Sequence, residues 1–116
     1  MAETIGTQGL LEAKLIIPQG TTFACAIEHT DTENNPIDHT GWTGHMSILD
    51  RSKTRYILDD CVSFSGSDVL IEIPPTMTAT LPLGGGTFDV MLEDDHGDVV
   101  RLLYGTTTVY DTYAMD

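Results

Sequence analysis

Short runs in which apolar and polar residues alternate recur along this chain, and no other feature limits the possible folds as strongly. Successive side chains of a β-strand point to opposite faces, so such alternation predicts strands with one buried face. Turn-forming residues separate the runs at intervals of about 8–12 residues, which is typical of an antiparallel sandwich. The sequence therefore predicts an all-β, antiparallel β-sandwich of about seven to eight strands. The extended runs are 11–17, 21–30, 42–49, 55–58, 61–64, 69–73, 87–93, 99–104 and 106–110.

One segment interrupts the β pattern. Proline stands at both ends of residues 74–82, and proline at a first helical position and just after a helix end predicts one short helical turn near 75–81. Met77 and Leu81 are expected to point into the core from this turn. Residues 83–86 are predicted to be a flexible connection to the next strand, and Gly105 is predicted to mark a bulge or a change of sheet.

The length of 116 residues fits one domain. We predict a sandwich domain over residues 11–110, preceded by an arm at 1–10 and followed by a tail at 111–116. The arm is expected to be loose unless a neighbouring subunit holds it. Neither a cleaved signal peptide nor a transmembrane span is expected, because no apolar stretch reaches the required length.

The charge is strongly negative, with a formal net charge of -13 and a pI of about 4.2. Nucleic acid and anionic lipid are polyanions, so neither is expected as a partner. The favoured interpretation of the acidity is solubility. The alternative is an acidic face that docks a basic partner or repels like neighbours during assembly.

Both cysteines, Cys25 and Cys61, stand in apolar, strand-like runs. Free cysteine is one of the most buried residue types, so two core thiols are the favoured interpretation. A disulfide between strands is the alternative in an oxidising compartment.

The acidic loop at 94–98 is the best candidate for a metal site. Clustered oxygens such as those of Asp94, Asp95 and Asp98 suit calcium, but their spacing differs from an EF-hand loop. A solvated hairpin tip is therefore favoured, and no metal or other cofactor is expected. The adjacent pair Asp59 and Asp60 is read as a turn, because neighbouring strand residues point to opposite faces. An enzyme is not expected, since no set of nucleophile, base and orienting group is visible.

Aromatic residues give the candidates for binding. Tyr is enriched at interfaces, so the candidates are the late tyrosines together with one apolar residue of the arm. Ordinary strand packing and a mobile tail are an equally good interpretation. Trp42 is read as a core residue, with sugar stacking as the alternative. The interface candidates are Tyr104, Tyr110, Tyr113 and Leu10.

Three segments, in order, resemble a family of tailed-bacteriophage proteins. Residues 17–23 (IPQGTTF) resemble its opening pattern of a strand followed by a polar residue, Gly, Asp or Thr, Thr and Phe, and residues 35–48 (NPIDHTGWTGHMSI) resemble its central run. Residues 81–92 followed by 99–109 resemble its last hairpin. The family is similar to the N-terminal immunoglobulin-like domain of lactococcal-phage upper baseplate proteins, and it also occurs as free-standing small virion proteins. His39 stands where the family usually has an apolar residue, and His45 where a basic residue is common.

The resemblance implies an immunoglobulin-like sandwich that serves as a structural component of a phage virion. Such a protein would dock rigidly on other virion proteins at the baseplate, the neck, the tail-fibre attachment or the capsid surface. It implies symmetric multi-copy or homo-oligomeric assembly on the virion after synthesis in the host cytoplasm. The alternative function is a module that binds a host-surface glycan through Trp42 or the tyrosine-rich end.

Overall fold

The structure is a computed structural model, and it describes residues 11–31 and 33–112. Eight strands form over these residues, and each follows a run of alternating or β-branched residues. Within the described residues, a single 3-10 turn lies at Asp59–Cys61 and one short helix, α1, at Pro75–Thr78. The strands are β1 (Leu11–Pro18), β2 (Phe23–Glu28), β3 (Thr43–Asp50), β4 (Arg55–Ile57), β5 (Val62–Ser65), β6 (Asp68–Ile73), β7 (Gly84–Glu93) and β8 (Val99–Tyr110).

The strands form two sheets that face each other as a sandwich. The five-stranded sheet has the order β1-β8-β7-β3-β4, and the three-stranded sheet has the order β2-β6-β5. Strands β2, β5 and β6 thus oppose β3, β7 and β8, which is the division of strands in an immunoglobulin sandwich. The predicted all-β, immunoglobulin-like sandwich is confirmed. One pair departs from the antiparallel prediction, because β1 runs parallel to β8 along the edge of the larger sheet.

Apolar side chains from alternate positions fill the space between the sheets. Burying a side chain such as Val, Leu or Ile contributes roughly 1.5–3 kcal/mol, so these positions hold the sheets together. The inward residues of β2, Phe23, Cys25 and Ile27, are only partly buried, since β2 is an edge strand. The core residues with the least exposure include Ile17, Met46, Leu58, Val69, Ile71, Ile73, Leu81, Val90, Leu92 and Leu102.

The helix α1 confirms the predicted helical turn, although it ends at Thr78 rather than near residue 81. Pro75 is at the start of the helix, where its missing N–H costs nothing. The Thr78 hydroxyl donates a 2.7 Å hydrogen bond to the carbonyl oxygen of Thr21, which fixes α1 to the loop before β2. Leu81 is buried and Met77 packs against the core, as expected. No helix in the described part of the chain is long and apolar enough to cross a membrane.

Three loops share one design. In each, an aspartate carboxylate accepts the backbone N–H groups of the residues two and four positions later, at 2.8–2.9 Å. The residue three positions later adopts a positive φ, which closes the turn. The hairpin tip predicted at 94–98 is therefore confirmed as a turn. The aspartates and their left-handed partners are Asp31 with Asn34, Asp50 with Lys53, and Asp94 with Gly97.

Two predictions about glycines are wrong. Residues 84–86 are the first residues of β7 and pair with β8, so they are not a flexible connection. Gly105 lies inside one continuous strand, β8, and marks neither a bulge nor a change of sheet. Its φ is +153°, and a Cβ there would collide with the carbonyl oxygen of Ala13 on β1. Glycine is thus required because the backbones of β1 and β8 approach closely at this point.

Substitution of Gly105 tests this close approach. We expect Gly105→Ala to lower the free energy of unfolding by at least about 2 kcal/mol, because the new methyl group must displace β1. Gly20→Ala is the matched control, since Gly20 also has a positive φ but no atom within 4 Å of the added Cβ. The control should cost only about 1 kcal/mol. Urea denaturation followed by circular dichroism measures both, and equal losses would contradict the interpretation.

Candidate functional site

The outward side chains of the five-stranded sheet form the candidate site, which we call the outer face. The residues of this face are those that alternate with the core residues along the strands. Two rows of paired residues cross the middle of this face from β1 to β4. The first row is Lys14, Thr106, Thr87, Leu49 and Arg55, and the second is Glu12, Tyr104, Asp89, Ser47 and Ile57.

The structure places two of the four predicted interface residues. Tyr104 is partly buried at the centre of the outer face, whereas Tyr110 is 52% exposed at the end of β8. Six residues of strand separate them by roughly 20 Å, so they do not form one aromatic patch. Leu10 and Tyr113 lie outside the described residues. Their role as interface residues stays a prediction.

An open depression of about 630 Å³ lies on the outer face around Tyr104. Strands β3, β7 and β8 form its floor, and the β3–β4 turn forms one wall. Polar, basic and apolar side chains therefore meet in one concave surface. Its lining residues include Leu49, Lys53, Arg55, Asp89, Arg101 and Tyr104.

Arg101 is held in position beside Tyr104. Its guanidinium lies 3.6 Å from the carboxylate of Asp89 and 5.0 Å from the centre of the Tyr104 ring. Such stacking and pairing limit the number of side-chain conformations of Arg101. The depression therefore has a positioned positive charge above its aromatic residue.

A β-bulge explains why Arg101 and Tyr104 share a face. Three positions apart in a regular strand, they would point to opposite sides of the sheet. The register of β7 and β8 shifts between Val90 and Met91, and Leu102 and Leu103 are both buried as a result. The alternation of residues along the sequence does not predict this site. The two adjacent leucines, which break the alternation, were the signal that could have indicated it.

Next to the depression, His45 lies between two carboxylates. Its Nδ1 is 3.0 Å from Asp59 Oδ2 and its Nε2 is 3.4 Å from Glu93 Oε1. Hydrogen bonding to Asp59, assisted by Glu93, raises the pKa of His45. The same contact lowers the pKa of Asp59, whose other oxygen accepts the Met46 N–H at 3.0 Å. Asp59 thus has a structural role in a 3-10 turn, in agreement with its prediction as a turn residue.

A pair of histidines is buried in the interior. His29 and His39 are 1% and 4% exposed, and 2.9 Å separates His29 Nδ1 from His39 Nε2. His39 Nδ1 lies 3.0 Å from the carbonyl oxygen of Gly66, which can only accept, so this nitrogen carries a proton. In the neutral pair, His39 Nε2 then accepts from His29 Nδ1. Charging both rings would place two N–H groups face to face.

Trp42 belongs to this histidine cluster and precedes β3. Its ring meets His39 edge-on at 4.9 Å and His29 at 5.8 Å, and His39 also stacks on Phe64 at 4.9 Å. Trp42 is partly buried, and it packs against the core as predicted. His39, although it replaces an apolar residue of the resembled family, is therefore part of the interior.

The hairpin at 94–98 brings Asp94 and Asp95 together with His96, rather than with the predicted Asp98. Asp94 already accepts two backbone N–H groups, and Asp95 lies 3.1 Å from the His96 ring. This arrangement is that of a solvated hairpin tip with local hydrogen bonds. Calcium binding here stays the alternative to the predicted hairpin tip.

Cys25 and Cys61 are both free thiols in the structure. Burial raises the pKa of each, and the nearby Asp60 charge adds to the effect at Cys61. A raised pKa keeps a thiol protonated and weakly nucleophilic. These cysteines therefore contribute packing rather than reactivity.

Comparison with known protein families and with curated proteins finds no match to this chain. A functional assignment must therefore be argued from the sequence resemblance and from the geometry of the outer face.

Removal of the His39 ring tests the buried pair. We expect His39→Ala to lower the free energy of unfolding by about 2–4 kcal/mol, because it opens a cavity and removes the hydrogen-bond partner of Gly66. Thermal or urea denaturation measures the change. His96→Ala at the exposed hairpin tip is the control and should cost less than about 0.5 kcal/mol. Similar effects of the two substitutions would show that the pair does not stabilise the fold.

The contact between His45 and Asp59 should make stability depend on pH. The raised pKa of His45 gives stabilisation that is complete below about pH 6.5 and is lost as pH rises through the folded-state pKa. The lowered pKa of Asp59 gives stabilisation that is present above about pH 4 and is lost as pH falls through its folded-state pKa. Both contributions are complete between about pH 4 and 6.5.

We therefore expect the loss of unfolding free energy in His45→Gln to be largest in this window. It should stay below about 1 kcal/mol, because both side chains are about 40% exposed and solvent screens the pair. Urea denaturation from pH 3 to 9 measures the profile. Asp59→Asn, which keeps an oxygen for the Met46 N–H, should remove the same pH dependence. A loss that is independent of pH would contradict the ion pair.

Proposed function

We propose that this protein is a structural component of a tailed-bacteriophage virion and acts as an adaptor that docks on other virion proteins through its outer face. The resemblance of residues 17–23, 35–48, 81–92 and 99–109 to phage proteins supports the virion role. The sandwich supports rigid-body docking, because two packed sheets present preformed surfaces. Baseplate, neck, tail-fibre attachment and capsid surface are all locations that fit this proposal.

The observation that carries the proposal is the exposed apolar surface of the outer face. Ile57 and Val99 are 64% and 53% exposed. Ile57 and Val99 line a second hollow, of about 350 Å³, together with Met91 and the His45 cluster. Contiguous exposed apolar residues rimmed by polar ones are typical of interaction sites.

The opposite face of the sandwich lacks this character. The outward residues of the three-stranded sheet are mostly small or acidic: Ala24, Ala26, Glu28, Ser63, Ser65, Asp68, Leu70 and Glu72. This contrast supports the outer face of the larger sheet as the docking surface. We propose a symmetric multi-copy arrangement, in which each copy uses this same face.

The second candidate function is glycan binding, and Tyr104 rather than Trp42 favours it. An aromatic ring beside the carboxylate of Asp89 and the guanidinium of Arg101 offers both a stacking surface and hydrogen-bond groups for a sugar. Saturable quenching of tyrosine fluorescence by host cell-wall saccharides, lost in Tyr104→Ala, would favour this function over docking.

Charge placed on the exposed apolar surface tests the docking function. We expect Ile57→Glu to lower incorporation into phage particles at least about tenfold, because docking would bury a carboxylate without a partner. The measurement is quantitative mass spectrometry of gradient-purified particles assembled with the wild-type or variant protein.

The matched control is Ala24→Glu, which places the same charge on an exposed edge-strand position of the three-stranded sheet. It should leave incorporation unchanged, and the melting temperature of each variant reports its folding. Absence of the wild-type protein from the particles, or equal loss with both variants, would contradict the proposal.

A further inference from the structure

Positive charge is confined to one side of the sandwich. The five-stranded sheet and its β3–β4 turn carry all five Lys and Arg residues of the chain, whereas the three-stranded sheet carries Glu28, Asp68 and Glu72. The 18 acidic residues give the whole molecule a negative field. A cluster of cations in such a chain is therefore an exception to its overall charge. The five cations are Lys14, Arg51, Lys53, Arg55 and Arg101.

Three of these cations line the depression around Tyr104. Within residues 11–31 and 33–112, no carboxylate lies within 4.0 Å of the charged nitrogens of Lys53 or Arg55. Arg101 has one carboxylate neighbour, Asp89, at 3.6 Å, and remains 47% exposed. The depression thus holds more positive than negative charge, in a chain where anions outnumber cations.

The surroundings of these cations favour binding of anions. Leu49 and Tyr104 form an apolar part of the surface, which a bound segment would cover. Ion pairs that the bound segment shields from water are stronger than those on a flat, exposed surface. Arginine also binds a carboxylate with two parallel hydrogen bonds, which adds geometric specificity.

We propose that the depression binds an acidic polypeptide segment of a partner protein, whose carboxylates pair with Arg101 on one side and with Arg55 and Lys53 on the other. This inference rests on the proposed docking function of the outer face and specifies the partner's chemistry. Tyr104 and Leu49 contact the part of the segment between its two carboxylates.

The sheet geometry sets the spacing of those carboxylates. Strands β8 and β4 are three strand intervals apart, which is about 14 Å at the usual spacing of neighbouring strands. Arg101 shares a row of the sheet with Met91 and His45, whereas Arg55 pairs with Leu49, four residues or about 13 Å farther along β3. The two arginines are therefore roughly 19 Å apart across the depression. An extended segment rises about 3.3 Å per residue, so its two acidic residues stand about five to six positions apart.

The overall charge favours a short acidic segment over a polyanion. A net charge of -13 repels nucleic acid, and this repulsion acts mainly within the Debye length of about 8–10 Å. A few carboxylates on a partner reach the local positive charge without bringing a long anionic chain near the acidic parts of the molecule. The apolar floor contributes further contact with a peptide, whereas free phosphate would leave it uncovered.

Titration of the full ¹⁵N-labelled chain with a synthetic peptide tests the inference. The probe is an acetylated and amidated Ser-Glu-Thr-Leu-Thr-Ser-Glu-Ser peptide, and the matched probe has Gln in place of both Glu. We expect saturable chemical-shift changes at Leu49, Arg55 and Tyr104 with the first peptide and none with the second. The Arg55→Gln and Arg101→Gln double variant should bind at least about tenfold more weakly, whereas Lys14→Gln, on the same sheet but outside the depression, should bind as the wild type does.

Three outcomes would overturn the inference: no saturable change at the depression, equal binding of both peptides, or equal affinity of the double variant and Lys14→Gln. Titration with inorganic phosphate tests whether the depression binds phosphate instead of a polypeptide. If phosphate shifts the same residues and binds more tightly than the peptide, the ligand is a phosphate group and not an acidic segment. If the peptide fails to bind while Ile57→Glu still removes the protein from particles, the docking function is supported and the acidic partner is ruled out. If the peptide binds while Ile57→Glu has no effect on incorporation, the docking function falls.

Discussion

The pairing of β7 with β8 is the constraint on which the rest of this structure depends. These are the two longest strands, and they connect the edge strand β1 to the strands β3 and β4. The bulge at Leu102 and Leu103 directs two consecutive side chains into the core. It thereby reverses the alternation of the following residues, so that Tyr104 faces outward beside Arg101. Core packing and the composition of the outer face are therefore determined by the same irregularity.

The strands could be predicted from the sequence because alternation is a local property. Most element positions, the helical turn and the aspartate turn at 94–98 followed from residues within a few positions of one another. Pairing between distant segments left no local signal, so neither the parallel β1–β8 pair nor the requirement for Gly105 could be derived. Tyr104 was predicted as an interface residue from its type, but its partner Arg101 depends on the bulge.

The histidines illustrate the same limit on local reasoning. His39 and His45 both depart from the resembled family, yet one is buried in the interior and the other is partly exposed on the outer face. For His39, the polar ring is accommodated because Gly66 and His29 supply partners for its two nitrogens. Those partners lie ten or more positions away in the sequence. An apolar residue at this position would contribute packing alone, whereas the buried histidine contributes a hydrogen-bonded network. The sequence pattern alone does not reveal this network.

The distribution of charge links the fold to its proposed role. An acidic molecule with its cations on one sheet has an electrostatic asymmetry that orients a partner before contact. Side chains of the outer face alternate with the core residues and take no part in the packing between the sheets. Substitutions on this face can therefore change docking without a large change in stability, whereas substitutions at Gly105 or His39 act on the fold itself. This separation allows the docking function and the acidic-partner inference to be tested independently of folding.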